Sequence, residues 1–181
     1  MLAGPQAPAA PPQPAQAAAA PSAGGPADWD LRPRIDQLAA KIARLKPMFD
    51  QIHPETWTVE GGAAGYAKQA QGCAQGLSYS QNAAARWAAQ PDRLSLMLET
   101  LVRLDSFHIQ ASSLSEGVRR YQNPAVADLL DAELIKFDAE LGWVRTQALE
   151  LAQQREKELE VAQKEAQRCR TQIFQSRPSK N

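Results

Sequence analysis

The residues of this chain whose types could do chemistry are two cysteines, two histidines and one glycine-rich run. Asp105-Ser106-Phe107-His108 has the acid-x-x-His spacing that puts a carboxylate and an imidazole on one face of a helix. A carboxylate-bridged metal centre in a helical bundle takes such a pair from each of two helices, with two further carboxylates. The other histidine, His53, stands before Pro54 in a segment that reads as a loop. Asp105 and His108 are therefore the candidates for metal ligation, but they make half a site, and no metal or other cofactor is expected. A helix-face histidine bonded to its neighbours is the ordinary source of this spacing.

Nucleophilic chemistry is as thinly supplied. Cys73 falls on an apolar stripe and reads as a small buried residue, which most unpaired cysteines are. Cys169 lies between Arg168 and Arg170, two cations of the kind that activate a thiol, so a thiol-redox protein centred on Cys169 is one alternative reading. Neither cysteine is tied by sequence to a histidine partner. Gly61-Gly62-Ala63-Ala64-Gly65 lacks the lysine and the preceding strand that a phosphate-binding loop requires, which argues against nucleotide binding. The expectation is a non-enzymatic protein.

The elements that must carry these residues are helices. Asn123 is a capping residue and Pro124 suits the first helical position, where no amide hydrogen is needed. From there Val126, Leu130, Leu134, Phe137, Leu141, Val144, Ala148 and Leu151 recur at three- and four-residue steps, one face of a helix running to about residue 172. The same stripe continues as Arg155, Leu159, Ala162, Ala166, Cys169 and Ile173, a weaker seam set among Gln, Glu, Lys and Arg. The acidic residues early in this helix, Glu140 among them, read as solvated positions that complement the helix dipole.

Three further helices precede it. Leu31, Ile35, Leu38, Ile42, Leu45, Phe49 and Ile52 mark the first, with Pro47 expected to kink it. His53 to Gly62 reads as a connection, with Trp57 folded onto the end of the bundle. Tyr66, Ala70, Cys73, Leu77, Ser80, Ala84 and Trp87 mark the second, whose Gly65, Gly72 and Gly76 point to a close approach by another helix or, alternatively, to a ligand groove. Gln90-Pro91-Asp92 reads as a tight reversal with Pro91 in the first turn of the third helix, along which Met97, Leu104, Leu114 and Val118 face inward and Leu98, Phe107 and His108 lie near the edge. The fold class is all-α: an up-down-up-down four-helix bundle with a long, overhanging C-terminal helix. Its helices are expected at about 31–52, 62–89, 91–122 and 124–172 within a bundle of 31–174, after a disordered Ala/Pro-rich linker at 1–30 and before a disordered tail at 175–181. Along these rods Cys73 and Cys169 fall roughly 50 Å apart, far beyond the reach of a disulfide at 1.5 Å per residue.

Composition bounds what the bundle would bind. Lys plus Arg total 20 and Asp plus Glu total 20, so no global field draws the chain to nucleic acid. No run is long and apolar enough for a transmembrane segment. The uncharged start, with Ala17 to Ala20 resembling the region around a cleavage site, suggests that a signal segment once preceded Met1 and that the protein is periplasmic or secreted; a cytoplasmic tether is the alternative. The function expected is a helical-bundle interaction or scaffold protein whose overhang associates with itself as a homo-oligomer or with a protein partner. Leu159, Ala166, Cys169 and Ile173 are the expected contact residues. A small-molecule or metal-binding bundle is the alternative.

Overall fold

The computed structural model describes residues 28–57 and 63–175. They form α1 (Asp28–Phe49), a single 3-10 turn (Pro54–Thr56), α2 (Ala63–Ala89), α3 (Leu94–Tyr121) and α4 (Pro124–Gln175). Among the described residues there is no strand, and no helix is long and apolar enough to cross a membrane.

Each helix lies antiparallel to the next, as bonds between their ends show. The Arg32 guanidinium at the start of α1 donates to the Ala88 carbonyl at the end of α2. Arg86 pairs with Glu99 across the turn between α2 and α3, and Arg119 of α3 reaches Asp128 of α4 at 2.6 Å. The α2 helix packs on both α1 and α3, α3 packs on α4, and α1 meets α4 only lightly. This is the up-down-up-down bundle that four amphipathic helices with short connections must make, left partly open along its α1–α4 side.

The stripes are the core. Ile35, Leu38 and Ile42 of α1, Cys73 and Trp87 of α2, Leu104 and Leu114 of α3, and Leu141 and Val144 of α4 are all fully shielded. Phe107 joins the layers, meeting Phe49 and Phe137 edge-on with ring centroids 5.5 Å apart in each pair. Placing Phe107 near the edge of α3 was therefore wrong: it is fully buried, because the rings of α1 and α4 meet over it. Leu98 is 44% exposed and His108 half-buried, as their edge positions imply.

The connections differ from expectation at three places. The α1 helix begins at Asp28, inside the stretch assigned to the linker, and continues through Pro33 and Pro47 to end at Phe49. Ile52 lies beyond that end yet is buried in the core. Pro91 is not in the first turn of α3; it is buried in the connection, where its carbonyl accepts the Trp87 indole N–H at 3.2 Å. That bond and the Arg93-to-Gln90 turn bond hold the chain until α3 starts at Leu94. At the other end Asn123 caps α4 as its residue type demands, its Oδ1 accepting from the Ala125 amide at 2.9 Å.

Trp57 folds onto the bundle end, only 5% exposed, and packs with Tyr66 and Tyr121 in a three-ring cluster. Gln122 ties this cap together by accepting from the Trp57 indole and the His53 amide while donating to the Gln51 carbonyl. Close helix approach does occur at glycine, but unevenly. A Cβ on Gly76 would meet Phe107 at 3.6 Å and one on Gly72 would meet Gln110, whereas Gly65 faces open space. Gly61 and Gly62 lie outside the described residues, as do the linker at 1–27 and the tail at 176–181.

Candidate functional site

The bundle ends, on the side of the α2–α3 turn, at Arg155 of α4, whose guanidinium donates to the Asp92 carbonyl at 3.1 Å. From Arg155 through Gln175 every residue of the helix is exposed. The run from Glu156 onward projects about 30 Å past the last contact with the bundle, at 1.5 Å per residue.

Its seam is in line with the core. Five whole helical turns take about eighteen residues. That step leads from Leu141 to Leu159, from Val144 to Ala162, from Ala148 to Ala166 and from Leu151 to Cys169. Leu141, Val144 and Ala148 are buried against the rest of the bundle, while Leu159 is 58% exposed and Ile173 63% exposed. The same face of one helix is thus covered above Arg155 and uncovered below it. The structure brings Leu159, Ala166, Cys169 and Ile173 onto that one exposed face.

Charge along the overhang is biased from end to end: Glu156, Glu158 and Glu160 come first with Lys157 among them, and Lys164, Arg168 and Arg170 follow with Glu165 among them. Glu158 takes Arg155 at 2.8 Å, which lowers its carboxyl pKa, and Glu160 takes Lys164 at 2.6 Å. Glu156, Arg168 and Arg170 have no ion pair among the described residues.

The other candidates are dispersed. Asp105 is paired with Arg145 of α4, and His108 stacks on Phe137 with centroids 6.1 Å apart. No group of three or more His, Cys, Asp or Glu side chains converges among the described residues. His53 lies 3.2 Å from Glu55 in the connection after α1, far along the sequence from both. The two cysteines are free; Cys73 is buried, which pushes its thiol up to about 12, and Cys169 is exposed on the overhang.

Two features of the α1–α4 side escaped the sequence reading. Glu140 is not a solvated acid: it is buried, with Arg34 at 2.8 Å and Lys41 on its two oxygens, so α1 supplies both counter-charges. Arg34 and Lys41 stand two turns apart on α1, and that spacing was the available signal. Beside Glu140 runs a groove of about 770 Å³ between α1 and α4. Its lining includes the buried Leu45 and Phe137, the more exposed Met48 and Leu129, and the charged Lys41, Arg44, Glu133 and Lys136. Space on the glycine side of α2, where the alternative reading looked for it, is taken by α3 at Gly72 and Gly76. No known protein family, curated protein or solved structure matches the chain.

Proposed function

We propose that this is a non-enzymatic interaction or scaffold protein whose bundle is the base and whose α4 overhang is the docking arm. The observation that carries this reading is the uninterrupted seam, in which the core-facing stripe of α4 continues past Arg155 onto a fully exposed helix. Apolar positions kept in phase beyond the last covering helix are what a docking surface needs, since a merely solvated extension has no use for the period. The partner is a protein, either a second copy or another chain, engaged through Leu159, Ala166, Cys169 and Ile173. The uncharged Ala/Pro composition of the first 26 residues supports a secreted or envelope setting, which fractionation of cells making the protein would test.

The test is association of the full chain with glutamate placed on the seam. Leu159→Glu and Ala166→Glu should leave far-UV circular dichroism and the unfolding midpoint close to those of the wild type while abolishing association. Association that survives both changes refutes the docking arm.

The α1–α4 groove favours a second reading, binding of a small amphipathic anion, because a lining that joins Leu45 and Phe137 with Lys41, Arg44 and Lys136 suits a chain with an acidic head. A rise in unfolding temperature with a medium-chain carboxylate, lost in Arg44→Glu, would support it; no shift would end it.

A further inference from the structure

We infer that the occupant of the arm is a second copy of this chain, laid antiparallel on the seam from Glu156 to Gln175, a conclusion that rests on the arm being a docking surface.

Sterics choose the direction. Above Arg155 the seam face is covered by the bundle, and Arg155 itself bonds to the turn that forms the bundle floor. A second α4 laid parallel and in register on the seam would continue, on the N-terminal side of its own Arg155, into the volume that the first bundle fills. Reversed, it runs away from that floor and carries its own bundle past the far tip. Overlap is then limited to the two arms, each filling the interval of about 30 Å between one bundle floor and the other.

Packing and charge agree with this choice. Leu159, Ala162, Ala166 and Cys169 follow one another at steps of three, four and three, the alternation that makes two helices interlock. In the reversed register Leu159 meets Cys169 of the second copy and Ala162 meets Ala166 of the second copy, so each large residue faces a small one and the alanines allow close approach. Glu156 and Arg170 of the second copy then flank the same level of the seam, and two-fold symmetry makes that pair twice. These are residues that the chain leaves without an ion pair among the described residues. The acidic start of one arm lies along the basic end of the other, and the helix dipoles oppose. A parallel, in-register pair would instead set Arg170 beside Glu165 of the second copy, an attractive pair, so the steric exclusion and not charge is what rules it out.

The native cysteines read out the orientation. Antiparallel arms hold the two copies of Cys169 about 15 Å apart along the axis, outside the reach of a disulfide, whereas parallel arms bring them together. Cys73 is fully buried and free, and does not interfere. The experiment is sedimentation equilibrium of the full chain, followed by oxidation with copper phenanthroline and peptide mass mapping. The expected result is a concentration-dependent dimer that wild-type Cys169 does not lock, and that Leu159→Cys locks through a bond between position 159 of one copy and Cys169 of the other. Glu156→Arg should weaken the dimer about tenfold or more, and Arg170→Glu added to it should restore affinity. Leu159→Glu should weaken it by on the order of a hundredfold, since both copies lose a buried leucine.

Ready locking of the wild type through Cys169 overturns the antiparallel arrangement and leaves the arm itself standing. A chain monomeric at all accessible concentrations overturns the second copy as occupant. A dimer indifferent to Leu159→Glu overturns the docking arm from which both follow.

Discussion

Gly117 of α3 lies under the cap formed by Trp57, Tyr66 and Tyr121, and alanine there sets helix propensity against packing. A Cβ at this position would come 2.7 and 2.9 Å from Cε1 and Cδ1 of Tyr66 and 3.1 Å from Cζ3 of Trp57. These are ring atoms, and the two rings pack on each other with centroids 5.2 Å apart, so neither can yield without moving its neighbour. Alanine is preferred to glycine in a helix interior by about 1 kcal/mol. Forcing a methyl group into a filled site costs about 1–3 kcal/mol, and loosening an aromatic pair forfeits a further 0.5–1.5 kcal/mol or so. The balance is a loss of about 0.5–3.5 kcal/mol for Gly117→Ala. Gly142→Ala is the control: nothing lies within 4 Å of its added Cβ, so propensity acts alone and should stabilise by about 0.5–1 kcal/mol. Urea unfolding followed by tryptophan fluorescence and circular dichroism, read as a midpoint shift at constant slope, measures both. Gly117→Ala as stable as the wild type would refute the packing of the cap described above.

Glu140→Ala should destabilise by about 1–3 kcal/mol in the same assay; this is below the value for a fully buried pair because Arg34 and Lys41, 36% and 44% exposed, can return to water. A loss under 0.5 kcal/mol or so would show that the triad contributes little. Ser80 Oγ is buried with no hydrogen bond among the described residues, so Ser80→Ala should be neutral or stabilising by about 1 kcal/mol, and a clear loss would reveal a partner for the hydroxyl. Cys73 supplies a pH dependence. Its folded pKa is raised to about 12 from 9.0, so the native state holds the proton longer than the unfolded chain does. Its contribution is whole below about pH 9 and is lost as pH rises towards about 12, a slope that Cys73→Ala should remove. Equal pH profiles for the two proteins between 9 and 12 would contradict the burial of that thiol. Gln122→Ala, which removes three hydrogen bonds of the cap, should speed exchange of the His53 amide and of the Trp57 indole N–H while leaving exchange in α4 unchanged, and uniform protection would count against the capping role.

What could be read from the residues alone was whatever a single helix settles by itself. The three-four period places Leu130, Leu141 and Ala148 on one face because side-chain direction repeats every 3.6 residues wherever the helix sits. Asn123-Pro124 marks the start of α4 because a cap is made within a few residues of chain. The overhang followed from length, since a helix reaching past residue 170 outruns partners of about half its length. What only the tertiary structure decided were the meetings between helices. Gly76 and Gly117 touch rings while Gly65 and Gly142 touch nothing, although all four are glycines in helices. Phe107 is core and not edge because Phe49 and Phe137 close over it from two other elements. Glu140 looked like the acids around it until α1 brought Arg34 and Lys41 alongside. The α1–α4 groove belongs to neither helix, being the gap left where two first-and-last partners meet lightly. Period, caps and length are local and survive in the sequence; contact between residues a hundred positions apart depends on how four helices divide one shared interior, and no stretch of the chain records that division.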